Sequence, residues 1–442
     1  MGRESGMYFG IRKEELPFSL LMGVYFFLVI TSFWVLKPIK KALFIDYYKS
    51  IGGLDFFGWH MLGSQAELLA KVMNMLVAAG AVAVFTLCSR RMRRQQLTFL
   101  FSLAFIVAFL IYLLLLQHPH GFTVWSFYLF GDLFSTMMVP TFYAFLNDSV
   151  TADSAKRTYG LVGFGGVAGG AVGALSVSAL IKQVSNPAWM IILAGTAVVI
   201  IAIAAAAGRM APQKNAPTPA TQEQEPASTG SPALEGAKLV FSSRYLLAIV
   251  GIVGLYEMVS TIMDFQFTSS VEHFVVNSTL EHFSRVFTIT NIVSMVVQFF
   301  FTSLIMTRFG VGVALLVLPF TALSGSAAFV LAPSLITGSI LNTADNAFSY
   351  SINQSAKESL YVPTTRDEKY KAKAFIDMFI QRLAKSAGVG LSLILTAMLS
   401  EFGYGAIRWL GILSIIILAV WMVAARYAGK HFDELTAAGK TV

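Results

Sequence analysis

The sequence predicts an all-α membrane protein with twelve transmembrane helices in two six-helix halves. Three observations carry that prediction. Of 442 residues, 56% are hydrophobic and only 13% charged, with a mean hydropathy of +0.68; a soluble domain carries about 25% charged residues, so half the usual charge is left to clothe a water-facing surface. Apolar runs of the length needed to cross a bilayer recur along the whole chain. A single proline-rich polar stretch divides those runs six and six.

A helix needs about 20 mainly apolar residues to cross the hydrocarbon core. The candidate spans are 17–36, 66–88, 97–116, 123–146, 158–181, 188–207, 243–263, 287–306, 310–331, 335–354, 374–399 and 404–426. The polar stretch Met1–Leu16 shows no cleavable signal pattern, so the first span is expected in the mature protein. Arg90, Arg91, Arg93, Arg94, Lys156, Arg157, Lys214, Lys238, Arg244, Arg308, Arg366, Lys369, Lys371 and Lys373 all fall in even-to-odd connections, whereas the turn Gln117–Thr123 has no Lys or Arg. The positive-inside rule then puts both termini in the cytoplasm of a bacterial inner-membrane protein.

Residues 211–235 hold five of the 13 prolines and no aromatic, the composition of a solvated, disordered linker. The chain is therefore expected to comprise an N-terminal half, 1–207, a cytoplasmic linker, 208–242, and a C-terminal half, 243–442. The loop Asn147–Arg157 resembles the loop Lys357–Lys373: acid, hydroxyl-rich middle, basic end, then a Gly/Ala-rich helix. Two such halves around a central cavity suggest alternating access by rocking.

Lys+Arg 32 against Asp+Glu 24 gives a net charge of +8. The cations lie in short loops, so topology accounts for them and no nucleic-acid partner is expected. The lone cysteine, Cys88, excludes an intrachain disulfide and a thiolate metal site, and the six histidines show no ligand spacing. His118 and His120 flank Pro119 in a turn. No nucleophile–base or metal constellation marks an enzyme, and no cofactor is expected.

Charges inside spans are the informative residues, because each must face a cavity, a partner or a substrate. Lys37, Lys40 and Lys41 share one face of span one if the helix continues past Pro38. They are either snorkelling lysines or a cationic cavity wall suited to an anion. Glu67 and Lys71 form an i,i+4 pair that can neutralise itself. Asp132 has no local cation, so its partner must come from another helix or a ligand. Glu257 and Asp264, seven residues apart in span seven, also call for cations. Asp345, between Asn342 and Asn346, fits either a polar patch for substrate or interhelical packing. Lys373, Asp377, Gln381 and Lys385 step by four along span eleven beside Arg382, a ridge too polar for lipid that lines the pathway or pairs with acids such as Asp264. The glycines of GFGGVAGGAVG in span five match close helix packing at Gly166/Gly170 and Gly169/Gly173 rather than a phosphate loop.

KPIKKALFI ending span one, DLF in span four, AKRTYGLVGFGG entering span five, and above all AKESLYVPTTRDEKYKAKAFIDMFIQRLAKSAG resemble the ATP/ADP translocase family, a twelve-helix branch related to the major facilitator architecture. Lys357, Glu358, Tyr361, Pro363, Lys369, Lys371, Lys373, Asp377, Lys385, Ser386 and Gly388 fall on that family's pattern. The resemblance implies exchange of ATP for ADP, or uptake of other nucleotides, without hydrolysis. It places functional charges at Lys40, Asp132, Asp264 and one of Lys371 or Lys373. Departures are Lys40-Lys41 where relatives often read Lys-Asp, aspartate in place of glutamate at 132 and 264, and the lack of Trp-Lys after the span-seven acid.

The function expected is a secondary active transporter exchanging nucleotides by alternating access. The alternative is a proton-coupled carrier of another anionic solute or a metal chelate, with Asp132 or Asp264 titrating. The partners expected are a small anionic solute and the lipid bilayer, with the chain acting as a monomer. The candidate substrate residues are Lys37, Lys40, Lys41, Asp132, Glu257, Asp264, Asp345, Lys371, Lys373, Asp377, Arg382 and Lys385, converging on a wet chamber.

Overall fold

A computed structural model describes residues 7–8, 11–12, 14–150, 152–210, 232–365 and 368–437. The proline-rich part of the expected linker, 211–231, with Lys214, lies outside them, as do Arg366 and the side chains of Lys156 and Arg157. The helices are α1 (Leu16–Ile51), α2 (Gly63–Arg91), α3 (Arg94–Leu115), α4 (Gly121–Ser149), α5 (Ala152–Leu180), α6 (Asn186–Met210), α7 (Pro232–Ser242), α8 (Arg244–Phe274), α9 (Thr279–Arg308), α10 (Gly310–Leu331), α11 (Leu335–Phe348), α12 (Gln354–Ser359), α13 (Lys373–Met398) and α14 (Ile407–Ala437). Two short antiparallel hairpins accompany them, β1 (Met7–Tyr8) with β2 (Ile11–Arg12) and β3 (Leu54–Phe56) with β4 (Trp59–Met61).

Among the described residues, eleven helices are long and apolar enough to cross a membrane. The remaining expected span, 335–354, falls on α11, a π-helical segment Ser349–Asn353 and α12. Its α-helix α11 is only 14 residues long and carries the polar residues Asn342, Asp345 and Asn346. The end of the expected linker forms α7.

The described chain clusters into two compact units. The first holds β1 and β2, α1, α2 from Met73 onward, α3 to α6, and Leu280–Thr288 of α9. Its core is aromatic: Phe105, Phe109, Phe130 and Phe134 from α3 and α4 meet edge-on or tilted at centroid distances of 4.9–6.0 Å. Leu103, Ile111 and Leu114 of α3 point outward and exposed, the arrangement of a lipid-facing helix rather than a wetted one.

Helix α1 runs on through Pro38, which lacks the N–H that Trp34 would accept but does not end the helix. It stops at Gly52, whose φ of +86° suits a residue without a Cβ. Against α1 packs α5, through Gly165, Gly169 and Gly173 spaced by four. Built Cβ atoms there would strike the carbonyl oxygens of Gly23, Phe27 and Thr31, also spaced by four. The Thr31 hydroxyl donates across this seam to the Gly169 carbonyl at 3.2 Å. The glycine packing read from the sequence is present, but its row begins at Gly165; Gly166 instead meets the ring of Phe26.

The second unit holds β3 and β4, α2 up to Val72, α7, α8, and the chain from Ile289 onward. Buried residues of α8, α10, α13 and α14 form its core, with Trp421 and Phe265 among the largest. Helix α9 carries a π-helical turn at Val297–Thr302. It breaks from α10 at Gly310, where φ is +83°. A second pair of π turns, Glu368–Ala372 and Ile376–Ile380, brackets the start of α13; such turns often mark functional sites.

Candidate functional site

In the first unit, the continuous α1 puts Lys37, Lys40 and Lys41 on one face. Lys40, with its side chain only 5% exposed, pairs with Oδ1 of Asp132 on α4. The other oxygen, Oδ2, accepts from the Asn74 side-chain amide of α2 at 2.5 Å. Tyr128, one turn before Asp132, places its ring 4.4 Å from the Lys40 ammonium. Gly131 makes room for the lysine stem: a Cβ there would lie 2.6 Å from Lys40 Cδ. Lys37 sits 4.3 Å above Trp34 and 4.9 Å from Phe287, and Lys41 lies 5.5 Å from Phe283. Aromatic faces attract ammonium groups, so these rings help hold the three lysines of this α1 face in place.

The second unit repeats the construction. Asp264 on α8 pairs through Oδ2 with Lys71 of α2, and its Oδ1 accepts from the Asn342 amide of α11 at 3.3 Å. In each unit an aspartate thus has a lysine on one oxygen and an asparagine on the other. Lys71 also lies 3.8 Å from Glu67, whose side chain is 1% exposed. The i,i+4 pair read from the sequence is present, but the closer partner of Lys71 is Asp264. Asp345 accepts from the Ser260 hydroxyl at 2.6 Å. Glu257 faces the cations Lys385 and Lys357.

The lysines at the start of α13 have partners of their own. Lys373 pairs with Glu358, and its ammonium lies 5.3 Å from the Tyr361 ring. Lys371 pairs with Glu235 of α7 at 3.2 Å. Asp377 faces Lys357 and Lys373. Gln65, six residues before Lys71, donates to Thr396 near the end of α13, and Lys373 begins that helix, so at about 1.5 Å per residue Lys373 lies roughly 20–25 Å along the helix from the level of Asp264. Lys371 and Lys373 thus pair with Glu235 and Glu358, and the span-seven acid that faces a span-eleven lysine is Glu257, opposite Lys385. Arg382 makes no ion pair among the described residues. The Oδ1 of Asp377 and the Tyr361 hydroxyl are buried without a hydrogen-bond partner among those residues.

Sequence spacing left out Asn74, Tyr128, Gly131 and the closer partner of Lys71. Asn74 carried a usable signal, a polar side chain one turn after Lys71 inside an apolar span. Tyr128 had one as well, being one turn before Asp132. No cluster of His, Cys, Asp and Glu suited to a metal ion occurs among the described residues.

Spanning helices with charge pairs buried on their inner faces are the construction of a solute carrier, and similarity to known proteins defines that class. The model of the Major Facilitator Superfamily matches residues 20–356, and that of the TLC ATP/ADP transporter family matches residues 320–432. The chain is 23% identical to a chloroplastic ADP,ATP carrier protein of Arabidopsis thaliana over 97% of its length and 76% of the carrier's. It is 30% identical to ADP,ATP carrier protein 1 of Chlamydia pneumoniae over 25% of its length and 21% of that protein's. A POT family transporter solved with 5-aminolevulinic acid superposes with a TM-score of 0.62 at 11% identity, covering 92% of this chain and 96% of that one. The chain belongs to the Major Facilitator Superfamily. It is a secondary transporter, not an enzyme, and the motif at 357–388 that resembles the ATP/ADP translocases lies within the residues the TLC model matches.

Proposed function

We propose that this protein exchanges nucleotides across a bacterial inner membrane, ATP against ADP in the first instance. Both termini lie in the cytoplasm, and the chain acts as a monomer. The halves 1–207 and 243–442, joined by 208–242, alternate access. The observation that carries the reading is the row of three lysines on one face of α1. Lys37, Lys40 and Lys41 stand over aromatic rings, and Lys40 rests on Asp132.

Ammonium groups hold phosphate oxygens as compact point charges. In the empty carrier Asp132 satisfies Lys40. In the loaded carrier the phosphate takes that lysine, and Asp132 keeps the Asn74 amide. A lysine that trades one anion for another is never left bare in a dry setting, where an uncompensated charge is costly. The same logic assigns Asp264, Glu257 and Asp345, with Lys371, Lys373, Asp377, Arg382 and Lys385, to the second half of the pathway. The ADP,ATP carriers among its relatives support the choice of substrate.

The test is uptake of labelled ATP into proteoliposomes of the purified chain. Preloaded ADP should accelerate uptake at least tenfold over empty vesicles, with no dependence on an imposed pH gradient. Uptake driven by the pH gradient and indifferent to internal ADP would replace this reading with proton-coupled transport.

A further inference from the structure

The start of α2 is fastened to α8 by a seam of polar contacts. The backbone N–H groups of Gly63 and Ser64 donate to the two carboxylate oxygens of Glu272 at 2.8 and 2.9 Å. Ser269 donates its hydroxyl to that of Ser64 at 3.0 Å, and Lys71 closes the row on Asp264. Rising numbers on α2 meet falling numbers on α8, as antiparallel neighbours require. Leu62, which precedes α2, offers no side-chain acceptor; Gln65 accepts from the Leu62 N–H at 2.9 Å, and Glu272 satisfies from another helix the next two N–H groups, those of Gly63 and Ser64.

This seam differs in kind from the one between α1 and α5. There, glycines let backbones touch, and separation would open a void along the row. Here the fasteners are hydroxyls, a carboxylate cap and an ion pair, which can exchange partners. Lys71 has two acceptors within its reach: Asp264 across the seam and Glu67 at 3.8 Å on its own helix. An ammonium so placed can leave one carboxylate for the other without a bare intermediate, which avoids an uncompensated buried charge.

We propose that Lys71 is a switch lysine, bolting α2 to α8 through Asp264 in the state seen here and swinging to Glu67 when the seam opens during transport. Lys71 is a positioning residue for Asp264, and Glu67 is its parking site. Asp264 retains the Asn342 amide after Lys71 departs. The transport served is the exchange proposed above, but the motion itself does not depend on which solute is carried.

The test uses spin labels at Leu62→Cys and Phe274→Cys, both exposed positions at the Glu272 end of the seam, in a Cys88→Ser background of the full chain in lipid nanodiscs. Pulsed electron–electron resonance should resolve a short and a longer distance. Lys71→Ala should raise the longer population at least fivefold, Lys71→Arg should restore the wild-type balance, and Glu67→Gln should lower it at least fivefold. In proteoliposomes Glu67→Gln should cut the maximal ATP/ADP exchange rate at least tenfold while moving KM less than twofold. A single distance unchanged by Lys71→Ala and Glu67→Gln would overturn the proposal, as would Glu67→Gln exchanging at the wild-type rate. If the labelled chain does not fold, the rate and KM of Glu67→Gln decide alone. If the wild type exchanges no nucleotide while the distances respond as described, the substrate assignment fails and the switch stands.

Discussion

Replacing Lys40 by Ala separates a binding lysine from a merely structural one. Stripping one partner from a fully buried ion pair costs about 3–5 kcal/mol. Asp132 is 26% exposed and keeps the Asn74 amide, which reduces the stability loss to about 2–3 kcal/mol. Transport loses a charge-assisted contact to phosphate worth about 1.5–3 kcal/mol. At about 1.4 kcal/mol per tenfold, ATP uptake efficiency should fall about 10- to 150-fold. Adding Asp132→Asn to Lys40→Ala removes the abandoned charge, so the double variant should recover most of the lost stability. It should not recover transport, because the phosphate contact is still missing. The assay pairs thermal unfolding in detergent with initial rates in proteoliposomes. If Asp132→Asn restored transport together with stability, or if Lys40→Ala exchanged at the wild-type rate, Lys40 would be only half of a structural pair.

Three further substitutions test separate parts of the account. Gly131→Ala puts a Cβ 2.6 Å from the flexible Lys40 stem, so stability should change by less than about 1 kcal/mol while KM for ATP rises severalfold in uptake assays. Gly173→Ala puts a Cβ 2.6 Å from the Thr31 carbonyl oxygen and 3.0 Å from Trp34 Cβ; this rigid overpacking should cost about 1–3 kcal/mol, read as a lower unfolding midpoint in detergent. Tyr361→Phe keeps the ring beside Lys373 and removes a buried hydroxyl that lacks a partner among the described residues. It should leave stability unchanged or raise it by about 1 kcal/mol, and a clear loss of stability would show that the hydroxyl is satisfied.

The helices were legible because a bilayer imposes a length and a polarity that any 20-residue window reveals. Even α1 could be read through Pro38, since the lysines beyond it kept the spacing of one helical face. The glycine row of α5 was legible in kind and displaced at its head, because whether Gly165 or Gly166 meets α1 depends on helix rotation, which spacing alone leaves open. Charge partners were the illegible part. Glu67 and Lys71 form a complete pair in one dimension, so nothing along the chain announces that Asp264, 193 residues away, is the closer acceptor. The step-of-four ridge Lys373, Asp377, Gln381 and Lys385 assumed an uninterrupted α-helix, yet a π turn occupies 376–380. Such a turn reflects tertiary packing rather than local propensity. Lys373 meanwhile finds Glu358 only 15 residues earlier, a carboxylate within the same family motif that spacing arguments about one helix do not reach.

The most direct measurement of the central claim is the ratio of nucleotide entering to nucleotide leaving. Proteoliposomes of the purified chain are loaded with labelled ADP and presented with differently labelled ATP, and both fluxes are followed over the initial minutes. Exchange through a lysine that hands one phosphate to the next predicts one ADP released for each ATP taken up, with both fluxes falling together in Lys40→Ala. ATP accumulating without ADP release, or ADP leaving at the same rate with no external nucleotide, would contradict it.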